Sequence, residues 1–213
     1  MNAMILAAGR GERMRPLTDR CPKPLLQVKG KALIEYHLEA LKRAGIQSVV
    51  VNLCWLGDQI ERALGDGSRF GLNILYSYET EALETAGGII QALDKLDDTF
   101  IIVNADVFTD FDFSRLLKLR HQAHLVLVPN PEHNALGDFA IEQGLLSNQA
   151  QQRYTFSGIA CYKKTFFEAI GGGKRALAPL LRAGAEQQQI SAELFTGVWS
   201  DVGSPQRLQL LQG

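Results

Sequence analysis

Short apolar, β-branched runs alternate along the chain with segments whose apolar positions recur every three to four residues. Met4–Ala8, Ser48–Cys54, Leu72–Tyr76, Phe100–Val103 and Leu125–Val128 read as strands. Several are apolar at every position, as in strands buried on both faces of a parallel sheet. Between them, Ala32–Ala44 sets Leu33, Ile34, His37, Leu38 and Leu41 on one helical face and stops at Gly45. Asp58–Leu64, Gly87–Leu96 and Asp112–His121 read as further helices. This β-α-β-α order predicts an α/β fold, a mixed but mostly parallel sheet flanked by helices.

After Pro129 the pattern changes. Gly137–Glu142, Leu145–Ser147 and Thr155–Tyr162 read as strands separated by polar turns, which suggests an antiparallel addition to the sheet. Arg175–Arg182 reads as a helix, Ile190–Phe195 and Val198–Asp201 as strands, and Pro205–Leu211 as a last helix. No repeat, linker or low-complexity tract divides the chain, so residues 1–213 are expected to form one domain.

Composition narrows the partners. The chain has 213 residues, 46% hydrophobic, with a formal net charge of −1 and no basic run of the kind that binds nucleic acid. No apolar stretch approaches membrane-spanning length, and Ala3–Ala8 is too short for a signal peptide and runs into arginines. Cys21, Cys54 and Cys161 are scattered, odd in number and without C-x-x-C spacing. That argues against a zinc site or disulfide framework and for a reducing, cytoplasmic setting.

Positive charge is concentrated between Arg10 and Lys29. There Leu6-Ala7-Ala8-Gly9-Arg10-Gly11-Glu12-Arg13-Met14-Arg15-Pro16-Leu17-Thr18 leads from a strand into a glycine–arginine loop, followed by Pro22-Lys23-Pro24-Leu25. Glycines allow a backbone to approach a ligand and aim its N–H groups at phosphate. A P-loop would end in Gly-Lys-Ser/Thr, and a dinucleotide fingerprint would need a third glycine where Met14 stands. Neither is present. The flanking prolines restrict where Lys23 can point.

Other candidate groups fall at strand ends. Asn104-Ala105-Asp106 follows Phe100–Val103, and Asp201 ends Gly197-Val198-Trp199-Ser200-Asp201-Val202-Gly203. Ligands in open α/β sheets bind beyond the carboxyl ends of strands. A carboxylate there can hold magnesium against phosphate oxygens, and equally can serve as a turn or cap residue. Glu84-Thr85-Ala86-Gly87-Gly88 can bring backbone close to a flat base and open a helix with free N–H groups, or be simply a glycine-rich helix entry.

Taken together, L-A-A-G-x-G-x-R-M-x-P-L-T followed by P-K-P-L resembles the signature of the sugar-1-phosphate nucleotidyltransferases. The resemblance spans almost the whole chain and is sharp at the motifs quoted. It implies a Rossmann-like nucleotidyltransferase fold and a nucleoside triphosphate and a sugar 1-phosphate as substrates. It implies Asp106 and Asp201 as ligands of Mg2+, Lys23 at the reacting phosphate and Arg13 on the pyrophosphate side. Leu6, Ala7, Ala8, Gly9, Arg10, Gly11, Gly87 and Asn104 are then expected to bind the nucleotide. Gly137, Glu142 and Ser157 fall in segments that resemble those lining the sugar pocket.

One departure sharpens the expectation. The mid-chain Glu-Lys-Pro of many thymidylyl- and guanylyltransferases is missing between Glu142 and Thr155, and no C-terminal β-helix is present. Together with L-E-T-A-G-G and T-F-S-G, this resembles the branch that transfers UMP from UTP to N-acetylmuramic acid α-1-phosphate; the lack of appended assembly modules favours a monomer. Mannose 1-phosphate guanylyl transfer, glucose 1-phosphate thymidylyl transfer and a non-catalytic nucleotide-binding domain are the alternatives. A glycosyltransferase would offer a D-x-D pair, whereas Asp106 is followed by Val107-Phe108. His37 and His121 read as structural, and His124 and His133 have no evident partner.

Overall fold

β-Branched apolar runs build the centre of the molecule. The computed structural model describes residues 1–149 and 151–213. Its strands are β1 (Asn2–Leu6), β2 (Gln27–Val28), β3 (Lys31–Ala32), β4 (Ser48–Leu53), β5 (Asn73–Tyr78), β6 (Thr99–Asn104), β7 (Val107–Thr109), β8 (Ala123–Val128), β9 (Ala140–Glu142), β10 (Leu145–Ser147), β11 (Thr155–Lys163), β12 (Ile190–Leu194) and β13 (Trp199–Asp201). The α-helices are α1 (Leu33–Arg43), α2 (Gly57–Leu64), α3 (Glu84–Gln91), α4 (Thr165–Glu168), α5 (Ala178–Glu186) and α6 (Pro205–Leu210). Nine strands form one sheet in the order β5-β4-β1-β6-β11-β8-β12-β10-β9, while β13 pairs with β7 and β2 with β3.

Most strands of the large sheet run one way; only β11 and β10 run against the rest. Alternation along β1 divides the core between two faces. Ala3 and Ile5 face a layer containing Ile34, Leu38 and Leu41 of α1 and Ile60 of α2. Met4 faces the opposite layer, with Ile89 of α3, Phe167 of α4 and Leu181 of α5. Among the described residues no helix is long and apolar enough to cross a membrane.

Several expected elements change. The antiparallel addition divides: β9 and β10 extend one edge, whereas β11 inserts between β6 and β8. Its residues are buried almost throughout, so it needs a neighbour on each side. Gly137 lies outside the strands, and Phe139 makes a single bridge to Tyr154. The helix expected over Asp112–His121 contracts to a 3-10 turn at Phe113–Leu116. The Asp112 side chain caps Ser114 there, and only Phe113 and Leu116 are buried, a three-residue spacing that one turn satisfies. α3 begins earlier than expected and stops at Gln91, followed by a separate 3-10 turn at Leu93–Lys95. α5 starts at Ala178 rather than Arg175, because the Arg175 backbone is engaged at the start of α3. The β2–β3 pair, β7 and α4 were too short to give a periodic signal.

Candidate active site

The carboxyl ends of β1, β4 and β6 open into a cleft of about 660 Å³. Its walls include the backbone from Leu6 to Met14, Lys23, Asn104 to Asp106, and Gly203. Asn52, Glu79, Ala82, Glu84 and Thr85 form the other side. The structure therefore gathers Leu6, Ala7, Ala8, Gly9, Arg10, Gly11, Arg13, Lys23, Asn104 and Asp106 around one space.

The loop after β1 is shaped from within. Gly11 has φ +67°, and its carbonyl accepts the Thr18 hydroxyl at 2.8 Å and the Met14 N–H at 2.9 Å. A Cβ on Gly11 would lie 3.0 Å from Thr18 Cγ2 and 3.4 Å from Lys23 Cβ, so the loop closes directly onto the lysine segment. Among the described residues, the N–H groups of Ala8 to Glu12 have no protein acceptor. Such a run of unpaired amides favours an anion. The Arg10 guanidinium stacks 4.0 Å over Trp55, whose indole N–H donates to the Thr18 carbonyl at 3.0 Å. Arg13 is exposed and has no ion-pair partner among the described residues.

Met14, at the position where a dinucleotide loop would carry glycine, anchors this one. It is fully buried in a small apolar cluster with Leu26, Val28, Leu33 and Val202, against which Leu208 and Leu211 pack. The same cluster therefore fixes both the loop and the segment after β13.

Lys23 Nζ donates to Asp106 Oδ2 at 2.5 Å, with the two side chains 11% and 31% exposed. Asp106 sits in the turn between β6 and β7, and its carbonyl accepts the Val202 N–H at 2.8 Å. Because β7 pairs with β13, Asp201 lies opposite Val107, the residue after Asp106. Asp201 is paired with Arg207 and lies 3.2 Å from His133 Nε2. Among the described residues there is no group of three or more His, Cys, Asp or Glu side chains able to cage a metal. Two carboxylates on hydrogen-bonded backbone are the smaller donor set that suits magnesium beside phosphate oxygens.

Behind the loop lies a buried polar bridge. Asn52 Oδ1 accepts the Ala7 N–H at 2.7 Å, and Asn52 Nδ2 donates to Glu79 Oε1 at 2.6 Å. Glu79 Oε2 accepts the Leu83 N–H at 3.1 Å. Gly88 leaves room for this bridge, since a Cβ there would stand 2.6 Å from Glu79 Oε1. Sequence reasoning passed over Asn52. The available signal was a polar residue inside the apolar run of β4.

The remaining expected residues, Asp201 among them, stand outside the cleft's lining. Gly87 packs against the 173–175 loop, where a Cβ would meet the Gly173 carbonyl at 2.4 Å. The helix N–H groups expected to be free there are not: those of Ala86 and Gly87 donate to the Arg175 carbonyl. Ser157 is buried and its hydroxyl donates to the Val126 carbonyl at 2.7 Å. Gly137 packs against Asn130 and the Arg153–Tyr154 backbone. Glu142 lies on β9 and lines a separate depression of about 380 Å³ with Gln143 and Gln188. Beside Ser157, β11 changes register at a bulge where Gly158 has φ +78°. A Cβ there would fall 2.6 Å from Asn104 Nδ2, so this glycine admits the Asn104 side chain.

Buried His37 stands behind Asp106. Burial lowers its pKa to about 4, against smaller upward contributions from the Val107 backbone and from Asp106. It is a neutral core histidine, as its place on the apolar face of α1 suggested.

Comparison with known proteins places this cleft in context. The chain is 49% identical to the N-acetylmuramate alpha-1-phosphate uridylyltransferase of Neisseria meningitidis, over 100% of this chain and 97% of that protein. It is 31% identical to the mannose-1-phosphate guanylyltransferase catalytic subunit beta of Drosophila pseudoobscura pseudoobscura, over 95% of this chain but 59% of that protein. A Bacillus anthracis structure assigned as a glucose-1-phosphate thymidylyltransferase superposes with a TM-score of 0.86, covering 100% of this chain and 94% of its own. At 20% identity that likeness speaks for the fold alone. The Nucleotidyl transferase family model matches residues 2–211, and with the cleft as described the chain belongs to that family.

Proposed function

We propose that the protein transfers UMP from UTP to N-acetylmuramic acid α-1-phosphate, giving UDP-N-acetylmuramic acid and pyrophosphate. The observation that carries this reading is the 49% identity, over the full length, to a uridylyltransferase of that substrate. The place of the activity is the cytoplasm, in peptidoglycan recycling, and the acting species is a monomer.

The sugar phosphate attacks the α-phosphorus of UTP in line, and pyrophosphate leaves. A phosphate monoester loses its second proton near pH 6, so the nucleophile needs no general base at neutral pH. This agrees with a cleft whose lining, among the described residues, contains no histidine. The protein's part is positioning and charge balance. The free amides of Ala8 to Glu12 and the unpaired Arg13 receive the triphosphate. Lys23 reaches the reacting phosphate from its place on Asp106. Family members generally use a divalent metal; here Asp106 and Asp201 would hold Mg2+, which supplies positive charge at the α-phosphate. Asn52 and Glu79 set the backbone on the base side, and Asn104 lines the nucleotide cleft beside Asp106.

The test is pyrophosphate release with Mg2+ and UTP, comparing N-acetylmuramic acid 1-phosphate with glucose 1-phosphate, with Asp106→Ala as control. Turnover with the muramic acid substrate alone, abolished in the variant, supports the reading. Absence of turnover with UTP, and activity with GTP and mannose 1-phosphate instead, would overturn it.

A further inference from the structure

The turn from β13 into α6 reads Asp201-Val202-Gly203-Ser204-Pro205-Gln206-Arg207. Ser204 Oγ accepts the Arg207 N–H at 3.3 Å and Pro205 occupies the first turn, so α6 starts at a fixed point. From there the Arg207 side chain turns back across the loop. Its Nη1 donates to the Asp201 main-chain carbonyl at 3.2 Å and also to the Asp201 carboxylate. The guanidinium rests against Gly203, where a Cβ would lie 2.8 Å from Nη2 and 3.0 Å from Cζ. His133 Nε2 stands 3.1 Å from Arg207 Nη1.

Gripping both the backbone and the carboxylate of one residue fixes how that carboxylate points. It also supplies a charge. Asp106 has Lys23 as its cation and Asp201 has Arg207, so each proposed metal ligand is already matched by a positive group. A divalent ion entering alone meets a site with little negative charge to spare. A triphosphate brings the missing charge.

We propose that Arg207 is a positioning residue for Asp201, orienting its carboxylate and balancing its charge until metal and nucleotide arrive together. This rests on the reading of Asp106 and Asp201 as the metal pair. It predicts opposite effects on two quantities. Without the guanidinium the bare ion binds more tightly, because a neighbouring positive charge is gone. Turnover falls, because the carboxylate is no longer oriented.

Manganese is the probe, titrated into the full-length protein without nucleotide and followed by electron paramagnetic resonance. Arg207→Gln should bind Mn2+ about tenfold more tightly than wild type. Its kcat should fall about tenfold or more, with the KM for UTP nearly unchanged. Arg207→Lys keeps the charge but not the planar guanidinium seated against Gly203, and should bind Mn2+ as wild type does while still losing kcat. Gly203→Ala pushes the guanidinium off its seat, and should raise Mn2+ affinity even if Arg207→Gln folds poorly. Unchanged or weaker Mn2+ binding in both Arg207→Gln and Gly203→Ala would overturn the assignment. Asp106→Asn and Asp201→Asn separate the premises. If neither weakens Mn2+ binding in the presence of UTP, the metal pair itself is wrong. If both weaken it while the Arg207 and Gly203 variants change nothing, only the role of Arg207 fails.

Discussion

Asn52 joins the loop after β1 to Glu79 on the opposite wall of the cleft, and Asn52→Leu removes that connection while keeping the branching and the number of side-chain heavy atoms. The substitution leaves the Ala7 N–H, at a residue 2% exposed, without its acceptor. It also removes one of two donors to Glu79, a residue 7% exposed. Each buried polar group left unpaired costs about 1–3 kcal/mol, so the gross penalty is about 2–6 kcal/mol. Burial of the leucine side chain offsets about 1.5–3 kcal/mol of this. The net expectation is a loss of about 2 kcal/mol. With a urea slope of about 2–3 kcal/mol per molar for a chain of this size, the unfolding midpoint should fall by nearly 1 M. Equilibrium urea unfolding followed by tryptophan fluorescence and circular dichroism measures it. Glu79→Gln, alone and combined with Asn52→Leu, completes a double-mutant cycle whose coupling should exceed about 0.5 kcal/mol. An unchanged midpoint, or two strictly additive substitutions, would refute the idea that this bridge carries load between the two walls.

Three further outcomes follow from particular contacts. His37 has a folded-state pKa of about 4, below its ordinary 6.5, so the unfolded chain takes up the proton first as pH falls. Its contribution is complete above about pH 6.5 and declines toward pH 4, amounting to about 2 kcal/mol between pH 7.5 and 5; urea unfolding at those two pH values should show a correspondingly smaller loss in His37→Leu. Gly158→Ala places a methyl group 2.6 Å from Asn104 Nδ2 at a positive φ, and should cost about 2 kcal/mol in urea unfolding. The displaced Asn104 side chain should also weaken substrate saturation in the pyrophosphate assay. Lys23→Met removes the cation from Asp106 and, in the proposed mechanism, from the reacting phosphate, and should lower kcat by about 10²–10³-fold in that assay; retention of near-normal kcat would exclude Lys23 from the chemistry.

How much of this was legible in the sequence depends on whether the signal was local. The strands β1, β4, β6 and β8 announced themselves through short, strongly apolar runs, and α1 through its stripe and Gly45. The glycine–arginine loop and Lys23 were legible because their chemistry is contiguous in the chain. What sequence could not show was neighbourhood. β11 reads like any buried strand, and only pairing reveals that it lies between β6 and β8. Gly87 and Gly88 read as ligand-facing glycines, yet their missing side chains make room for the Gly173 carbonyl and for Glu79. Glu142 and Ser157 were placed by motif, while hydrogen bonding and strand order decide where their side chains sit. Arg207 carries no signal on its own; it becomes conspicuous only when α6 folds back over Asp201.

Met14 and Val202 come from early and late in the chain, yet each helps to bury the other. During synthesis the phosphate loop leaves the ribosome long before Val202, Leu208 and Leu211 are made, and until then Met14 has no complete seat. A nascent chain therefore has the glycines and the lysine, with Met14 seated only on Leu26, Val28 and Leu33. Completion of the last strand and helix closes the site and brings Asp201 to Asp106 in the same event. The late-made segment in this sense completes the seat of an early-made loop.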